Sequence, residues 1–430
     1  KQDGAPPLYY VLLHFWMGLF GTSNEGVRSL SGVISVATLP IAWLAARRFA
    51  GARIAWLVLV LVATAPFAIY YGTEARMYSL VMLLTACGFL ALSRSLRRPR
   101  AGNLLAVAVV TAALLYTQYW ALYLVGTVIL WLLWTGRRDQ PNAEHRRAAR
   151  WTLGAVVVGC IAFTPWLPTF FYQSRHTGTP WAAPANFSAV VNAITGFTDN
   201  QAVTSTAGTN QGRLLAVCYL VLGFLALFGL ARDRWHVDLD IRTRPQARPV
   251  AVVVIVTLVA AVAGGLLAGS GFSGRYASVV FVPLLILVAV GVVTFVDARI
   301  RAGVMAVAAV AGLAVGAQNI TTRRTQAPAV ASVLAARAKP GDVVAYCPDQ
   351  LGPAVYRLTA SRGYAQITYP GRRGPAIVDW ADYKQAIRQA DPGAFASLLE
   401  SEAGSSHQIW LVWASGYRGY GTRCETIATA

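Results

Sequence analysis

The chain has 430 residues, of which 56% are hydrophobic and only 13% charged, with a formal net charge of +19. Mean hydropathy is +0.50 and the sequence pI is about 10.2. A soluble domain carries about a quarter charged residues, so these values exclude an ordinary soluble globular protein and indicate a polytopic membrane protein. The basic excess does not mark a nucleic-acid binder, because over half of it falls in one set of loops between apolar runs.

The chain opens on Lys1-Gln2-Asp3-Gly4, which reads as the middle of a loop, and an N-terminal span is expected before it. Pro7 to Phe20 is apolar, but about fourteen residues are short for a span. With Tyr9, Tyr10, His14 and Trp16 along it, it is expected to lie as a helix in the outer membrane interface. Ten spans are predicted, at 29–46, 54–71, 77–93, 103–119, 120–136, 151–171, 213–231, 249–268, 276–296 and 302–318.

The loops between these runs alternate in charge. One set holds Arg47, Arg48 and Arg53; Arg94, Arg97, Arg98 and Arg100; Arg137, Arg138, Arg146, Arg147 and Arg150; Arg232, Arg234, Arg242, Arg244 and Arg248; and Arg299 and Arg301. These are nineteen of the 37 basic residues, and the positive-inside rule makes their face cytoplasmic. The opposite loops hold only Lys1, Arg28, Arg76, Arg175, Arg213 and Arg275. Glu74 and Arg76 therefore fall in an outer turn between two spans, where a charged pair is costly unless it meets water or a site.

On that face acids are few: Asp3, Glu25, Glu74 and Asp199. Chemistry on a hydroxyl generally needs a carboxylate or a histidine as base, so the search is short. Glu25 is expected to cap a helix and Asp199 to be solvated, which leaves Asp3 and Glu74. Arg76 suits a phosphate or an ion pair that closes the helix end. Arg275, followed by Tyr276, suits a phosphate or snorkels toward the interface. The loop 173–211 carries Trp181 and Phe197, placed either to stack on a sugar ring or to anchor the loop in the membrane.

After Gln318 the composition turns mixed. Helix signals at 326–338, 352–359 and 383–403 alternate with strand signals at 342–346, 366–369 and 408–413. The alternation predicts a small α/β domain over 319–430, on the outer side if ten spans begin outside. Cys87, Cys160 and Cys218 lie within spans and read as packed small residues. Cys347 and Cys424 are the two cysteines of the tail. An oxidising compartment permits their pairing, and spacing alone leaves it open. No zinc-type Cys/His spacing occurs, no metal-ligand set is singled out, and a divalent metal requirement stays open.

Several stretches together are similar to one family. Asp3-Gly4-Ala5-Pro6-Pro7-Leu8-Tyr9-Tyr10, His14, Phe20-Gly21 and Arg28 resemble the first outer loop of family 39-type glycosyltransferases. Glu74-Ala75-Arg76-Met77-Tyr78-Ser79 resembles their second outer loop, and Thr164-Pro165-Trp166-Leu167-Pro168 and Arg275-Tyr276 look like further family features. The group includes protein O-mannosyltransferases and the lipid A aminoarabinose transferase, and the Ala- and Arg-rich composition is similar to that of actinobacterial members.

The resemblance covers residues 1 to about 318. It implies a mainly α GT-C fold, a transmembrane helical bundle in the plasma membrane with its site at the outer surface. It also implies a sugar on a polyprenyl phosphate as donor, and inverting transfer of a mannose or another pentose or hexose to an extracytoplasmic hydroxyl acceptor. In that frame Asp3 and Glu74 are the catalytic candidates. Arg76, Arg275, Tyr276, Tyr10, His14 and Tyr78 are the candidates for the donor phosphate and lipid, and Trp181 for the substrate loop. Members usually carry an acidic base just after the first span, upstream of where this chain begins. A flippase for lipid-linked sugar predicts buried mid-span charges and paired broken helices, and almost no ionisable residue lies within the spans. A non-catalytic protein whose tail binds a glycan or partner through Trp410, Trp413 and Tyr417 is the third reading.

Overall fold

A computed structural model describes residues 4–137, 142–177, 186, 188–199, 209–234, 236–268, 271–371, 374–417 and 419–430. The chain divides into two compact units: Ala5–Leu167 with Pro184–Thr322, and Lys1–Gly4 with Pro168–Ala183 and Arg323–Ala430.

The first unit is a helical bundle. It contains α1 (Leu8–Phe20), α2 (Asn24–Ala50), α3 (Ala52–Thr64), α4 (Pro66–Gly72), α5 (Tyr78–Arg97), α6 (Ala101–Leu115), α7 (Ala121–Thr135) and α8 (Ala143–Ala162). After α9 (Leu167–His176), which runs into the other unit, come α10 (Ser188–Thr198) and α11 (Asn210–Phe228). A short hairpin of β1 (Gly229–Ala231) and β2 (Val237–Leu239), then α12 (Arg248–Leu267), α13 (Ser278–Val292) and α14 (Ala298–Thr321), complete it.

Among the described residues, seven helices are long and apolar enough to cross a membrane, or eight if a bent pair counts as one span. That pair is α3 and α4, which meet at 56°. Pro66 explains the bend, since it supplies no N–H and holds Ala65 extended at φ -68 and ψ 127. The ten-span expectation is thus not met by length. The runs predicted at 103–119 and 120–136 form helices of 15 residues each. At 1.5 Å per residue each is about 22 Å long, against a hydrocarbon core of about 30 Å. The residues lost from them make the turn Tyr116 to Trp120, where buried Gln118 accepts from the Ser278 hydroxyl at 3.0 Å.

α1 keeps Val11, Leu12, Phe15, Leu19 and Phe20 exposed, an apolar face on a helix of 13 residues, as suits one lying at a membrane interface. Its other side is tied to α2: the Trp16 indole donates to the Gly26 carbonyl and the Ser29 hydroxyl, and the Tyr9 hydroxyl shares a hydrogen bond with Ser31. α13 lies at the centre of the bundle, and every one of its residues is buried. It touches α11 backbone to backbone, since a Cβ on Gly291 would fall 1.9 Å from the Leu222 carbonyl oxygen. Small residues permit this approach where helices pack within lipid. The arginine-rich junctions α2–α3, α5–α6 and α12's start all lie at the helix ends away from the α4–α5 turn that carries Glu74.

The tail of the second unit holds α15 (Ala327–Arg337), β3 (Val343–Cys347), α16 (Gly352–Thr359), β4 (Ala365–Thr368), α17 (Tyr383–Gln389), α18 (Pro392–Ala403), β5 (Ile409–Trp413) and α19 (Arg423–Thr429). The three strands are parallel in the order β4-β3-β5. Buried β3 is central, as in a sheet covered on both faces. The single helix expected over 383–403 is two helices. Pro392 cannot continue α17, and Asp391 caps α18 by accepting from Gly393 and Ala394 N–H. Cys347 and Cys424 form a disulfide that ties β3 to α19.

Candidate active site

The site builds from the turn between α4 and α5. α4 ends at Gly72, and Thr73 closes it by donating its hydroxyl to the Tyr70 carbonyl at 2.9 Å. The Arg76 N–H returns to the Glu74 carbonyl at 2.8 Å, so the turn is tight and puts Glu74 and Arg76 on one short projection. Glu74 is half-buried and Arg76 exposed. Either side of the turn stand two buried phenols, Tyr71 from α4 and Tyr78 from α5, with ring centroids 4.5 Å apart.

The second arm comes from a 3-10 turn, Gly274–Ala277, that leads into α13. It places Arg275 within electrostatic reach of Tyr78, Tyr276, Tyr71 and Arg76. The Arg275 guanidinium carbon lies 5.6 Å from the centroid of the Tyr276 ring, within cation–π range. That ring in turn stacks on Trp120 at 4.9 Å and 10°, so the indole fixes the phenol that flanks the arginine. Arg275 is only part-exposed, a guanidinium held among phenols.

The third arm is the start of α1. Its first turn is fixed by the Leu8 N–H donating to the Tyr116 carbonyl at 2.9 Å. Tyr9 is buried and feels both Glu74 and Arg76, and Tyr10 packs edge-on to it at 5.6 Å. Tyr10 also lies within electrostatic reach of Tyr78.

The structure thus brings together Tyr10, Glu74, Arg76, Tyr78, Arg275 and Tyr276 of the predicted residues. His14 points elsewhere, exposed on α1 with its ring edge-on to Phe15 at 5.6 Å. Asp3 and Trp181 lie outside the described residues. Phe197 packs in the core against Phe67 and Phe281 and is fully buried, so the stacking or anchoring role expected for it is not met: α10 turns it inward. Sequence reasoning missed Tyr9, Tyr71 and Trp120. The pairs Tyr9-Tyr10 and Tyr70-Tyr71 at helix ends, and a Trp at the break between two apolar runs, were the available signals. Among the described residues, no group of three or more His, Cys, Asp or Glu side chains is placed to hold a metal.

The arrangement offers a carboxylate, two guanidiniums and a wall of phenols at one end of an apolar bundle. It can neutralise an anionic group at Arg275 and Arg76 with a carboxylate on the same turn as Arg76.

Residues 4–168 match the model of the family described as dolichyl-phosphate-mannose-protein mannosyltransferase. This segment holds the α1 and α4–α5 arms but not Arg275. No curated protein matches the chain. Among solved structures it is similar to ArnT from Cupriavidus metallidurans. Against the form bound to undecaprenyl phosphate the identity is 14% and the TM-score 0.54, with 86% of this chain and 76% of that chain covered. Against the apo form the identity is 15% and the TM-score 0.56, with 92% and 80% covered. The fold is accordingly the GT-C fold, a multi-pass membrane bundle with a small α/β appendage.

Proposed function

We propose that this GT-C protein is a membrane glycosyltransferase that moves a sugar from a polyprenyl-phosphate donor to a hydroxyl acceptor, with inversion at the anomeric carbon. The observation that carries the reading is the convergence of the Glu74 turn and the part-buried Arg275 within one phenol-lined end of the bundle. The segment match to mannosyltransferases and the likeness to a protein solved with undecaprenyl phosphate support it.

In this reading a carboxylate, Glu74 or Asp3, takes the proton of the acceptor hydroxyl as its oxygen attacks the anomeric carbon. The bond from that carbon to the phosphate oxygen breaks with its electron pair. The departing lipid phosphate gains negative charge, and Arg275 and Arg76 stabilise it where it develops. Tyr78, Tyr276 and Tyr10 shape the site. The sugar is mannose or a related pentose or hexose, and the acceptor a cell-envelope glycan, lipid or protein. In this reading the site and the tail domain are extracytoplasmic, which the arginine distribution supports.

Purified protein in liposomes with a panel of polyprenyl-phosphate sugars tests the reaction. Glu74→Gln is expected to abolish transfer while the melting profile stays unchanged; normal turnover removes Glu74 from the site. A cysteine at Thr73 is expected to react only with a membrane-impermeant maleimide added outside whole cells. Labelling only after permeabilisation overturns the orientation.

A further inference from the structure

Two voids lie in the bundle: the first runs along it from Leu114 and Leu124 toward Leu96, and the second lies at the end away from the arginine–tyrosine site. The first, of about 230 Å³, sits among α5, α6, α7, α12 and α13, walled by Phe89, Leu96, Val107, Val128 and Val253. The second, of about 620 Å³, lies between α7 and α12. Trp131 and Pro249 line both, so the two adjoin.

Their position follows from the helices. α7 begins beside Trp120, which stacks on Tyr276, and Trp131 is eleven residues further, or about 16 Å along the axis. α12 spans 20 residues between Arg248 and the loop that leads to Arg275, so Arg248 lies roughly 30 Å from that loop.

The first void is chemically plain. Thr85, Ser93 and Thr111 line it, but each hydroxyl donates to a carbonyl of its own helix, at Val81, Leu90 and Val107. The hydroxyl protons are thus spoken for and the remaining walls are apolar, and apolar voids tend to stay dry and take apolar guests. An empty one forfeits dispersion contacts along its walls. The second void opens toward the lipid: Leu130 is 63% exposed, Trp134 55% and Val252 43%.

The rim differs from the walls. Arg248 lines the second void, its Nε held by the Thr243 carbonyl at 2.8 Å. An apolar recess that opens sideways into hydrocarbon, with an indole and a guanidinium at its lip, matches an amphiphile with an anionic head.

We propose that this recess is a binding site for an anionic glycerophospholipid of the leaflet remote from Glu74. One acyl chain passes Trp131 into the inner void, and the phosphate rests at Arg248. The site is separate from the reacting end, and the inference does not depend on the transfer reaction.

The test uses the full-length chain in nanodiscs with phosphatidylglycerol carrying a diazirine on one acyl chain. Irradiation and peptide mapping are expected to place crosslinks on Val128, Trp131 and Val253. Unlabelled phosphatidylglycerol should compete at least tenfold better than phosphatidylcholine of the same chains. Val128→Trp, which fills the inner void, should cut labelling several-fold. Arg248→Gln, at the rim, should erase the headgroup preference. Labels spread over lipid-facing positions such as Val109 and Val310, equal competition by phosphatidylcholine, or an unaltered preference in Arg248→Gln would each overturn the proposal. So would clearance of the label by polyprenyl phosphate alone, which would assign the recess to that lipid's chain.

Discussion

Asp349 should make the tail domain lose stability as pH rises, against the usual behaviour of a carboxylate. It lies just past the end of β3 and is 7% exposed. Its Oδ1 accepts from the Tyr383 hydroxyl and from the Tyr420 hydroxyl, and those two hydroxyls share a further hydrogen bond at 2.6 Å. Burial dominates and pushes the carboxyl from 3.8 up to about 6, although both tyrosines pull it down by favouring the ionised form. The folded chain therefore holds this proton more tightly than the unfolded chain does. The stabilisation is complete below pH 3.8 and is lost as pH rises through 6. A rise of about two units at 1.36 kcal/mol each is worth roughly 3 kcal/mol, or about a hundredfold in an opening constant.

Asp349→Asn keeps the shape and an accepting oxygen but removes the titration. Hydrogen exchange on the full-length protein in nanodiscs, corrected for intrinsic rates, would read the β3 and α17 peptides at pH 4 and pH 7. The wild type should open about a hundredfold more readily at pH 7, and the variant should lose most of that difference. Comparing the two proteins isolates the contribution of this one carboxyl. An equal pH slope in Asp349→Asn, or greater wild-type protection at pH 7, would refute the reasoning.

Arg275→Gln should lower kcat/KM for transfer by about 10²–10³, the usual loss of one donor to developing charge. Arg275→Lys should recover only part of it, because an ammonium cannot make paired contacts; steady-state kinetics with a polyprenyl-phosphate sugar reads both. Replacing Cys347 and Cys424 by alanine opens a loop with a sequence separation of 77, which costs about 4 kcal/mol in the chain-entropy view. Proteolysis of the tail domain at graded urea should show it, and an unchanged midpoint would mean the surrounding core carries the fold alone.

Much of the bundle was legible because membrane helices announce themselves by composition. Glu74 and Arg76 stood out for the same reason: charge between two apolar runs needs explaining. What periodicity cannot reach is contact between distant segments. Nothing near Arg275-Tyr276 in sequence points to Tyr71, which lies within electrostatic reach of Arg275, or to Trp120, which stacks on Tyr276. The ends of α6 and α7 were misjudged since Tyr119 and Trp120 are apolar enough to pass for span residues. Pro392 carried the signal for the α17–α18 break, but the helical pattern on both sides masked it. Pairing of Cys347 with Cys424 was an open choice until β3 and α19 were placed together.

The enclosure of α13 bears on how the protein is made. Its sequence is as apolar as lipid on every side, so nothing prevents its entering the bilayer alone. In the finished protein it is buried throughout, with Arg275 and Tyr276 in the turn just before it. Lipid must therefore leave its whole surface before Arg275 can meet Tyr78. The arginine–tyrosine cluster comes together only when the bundle closes around α13.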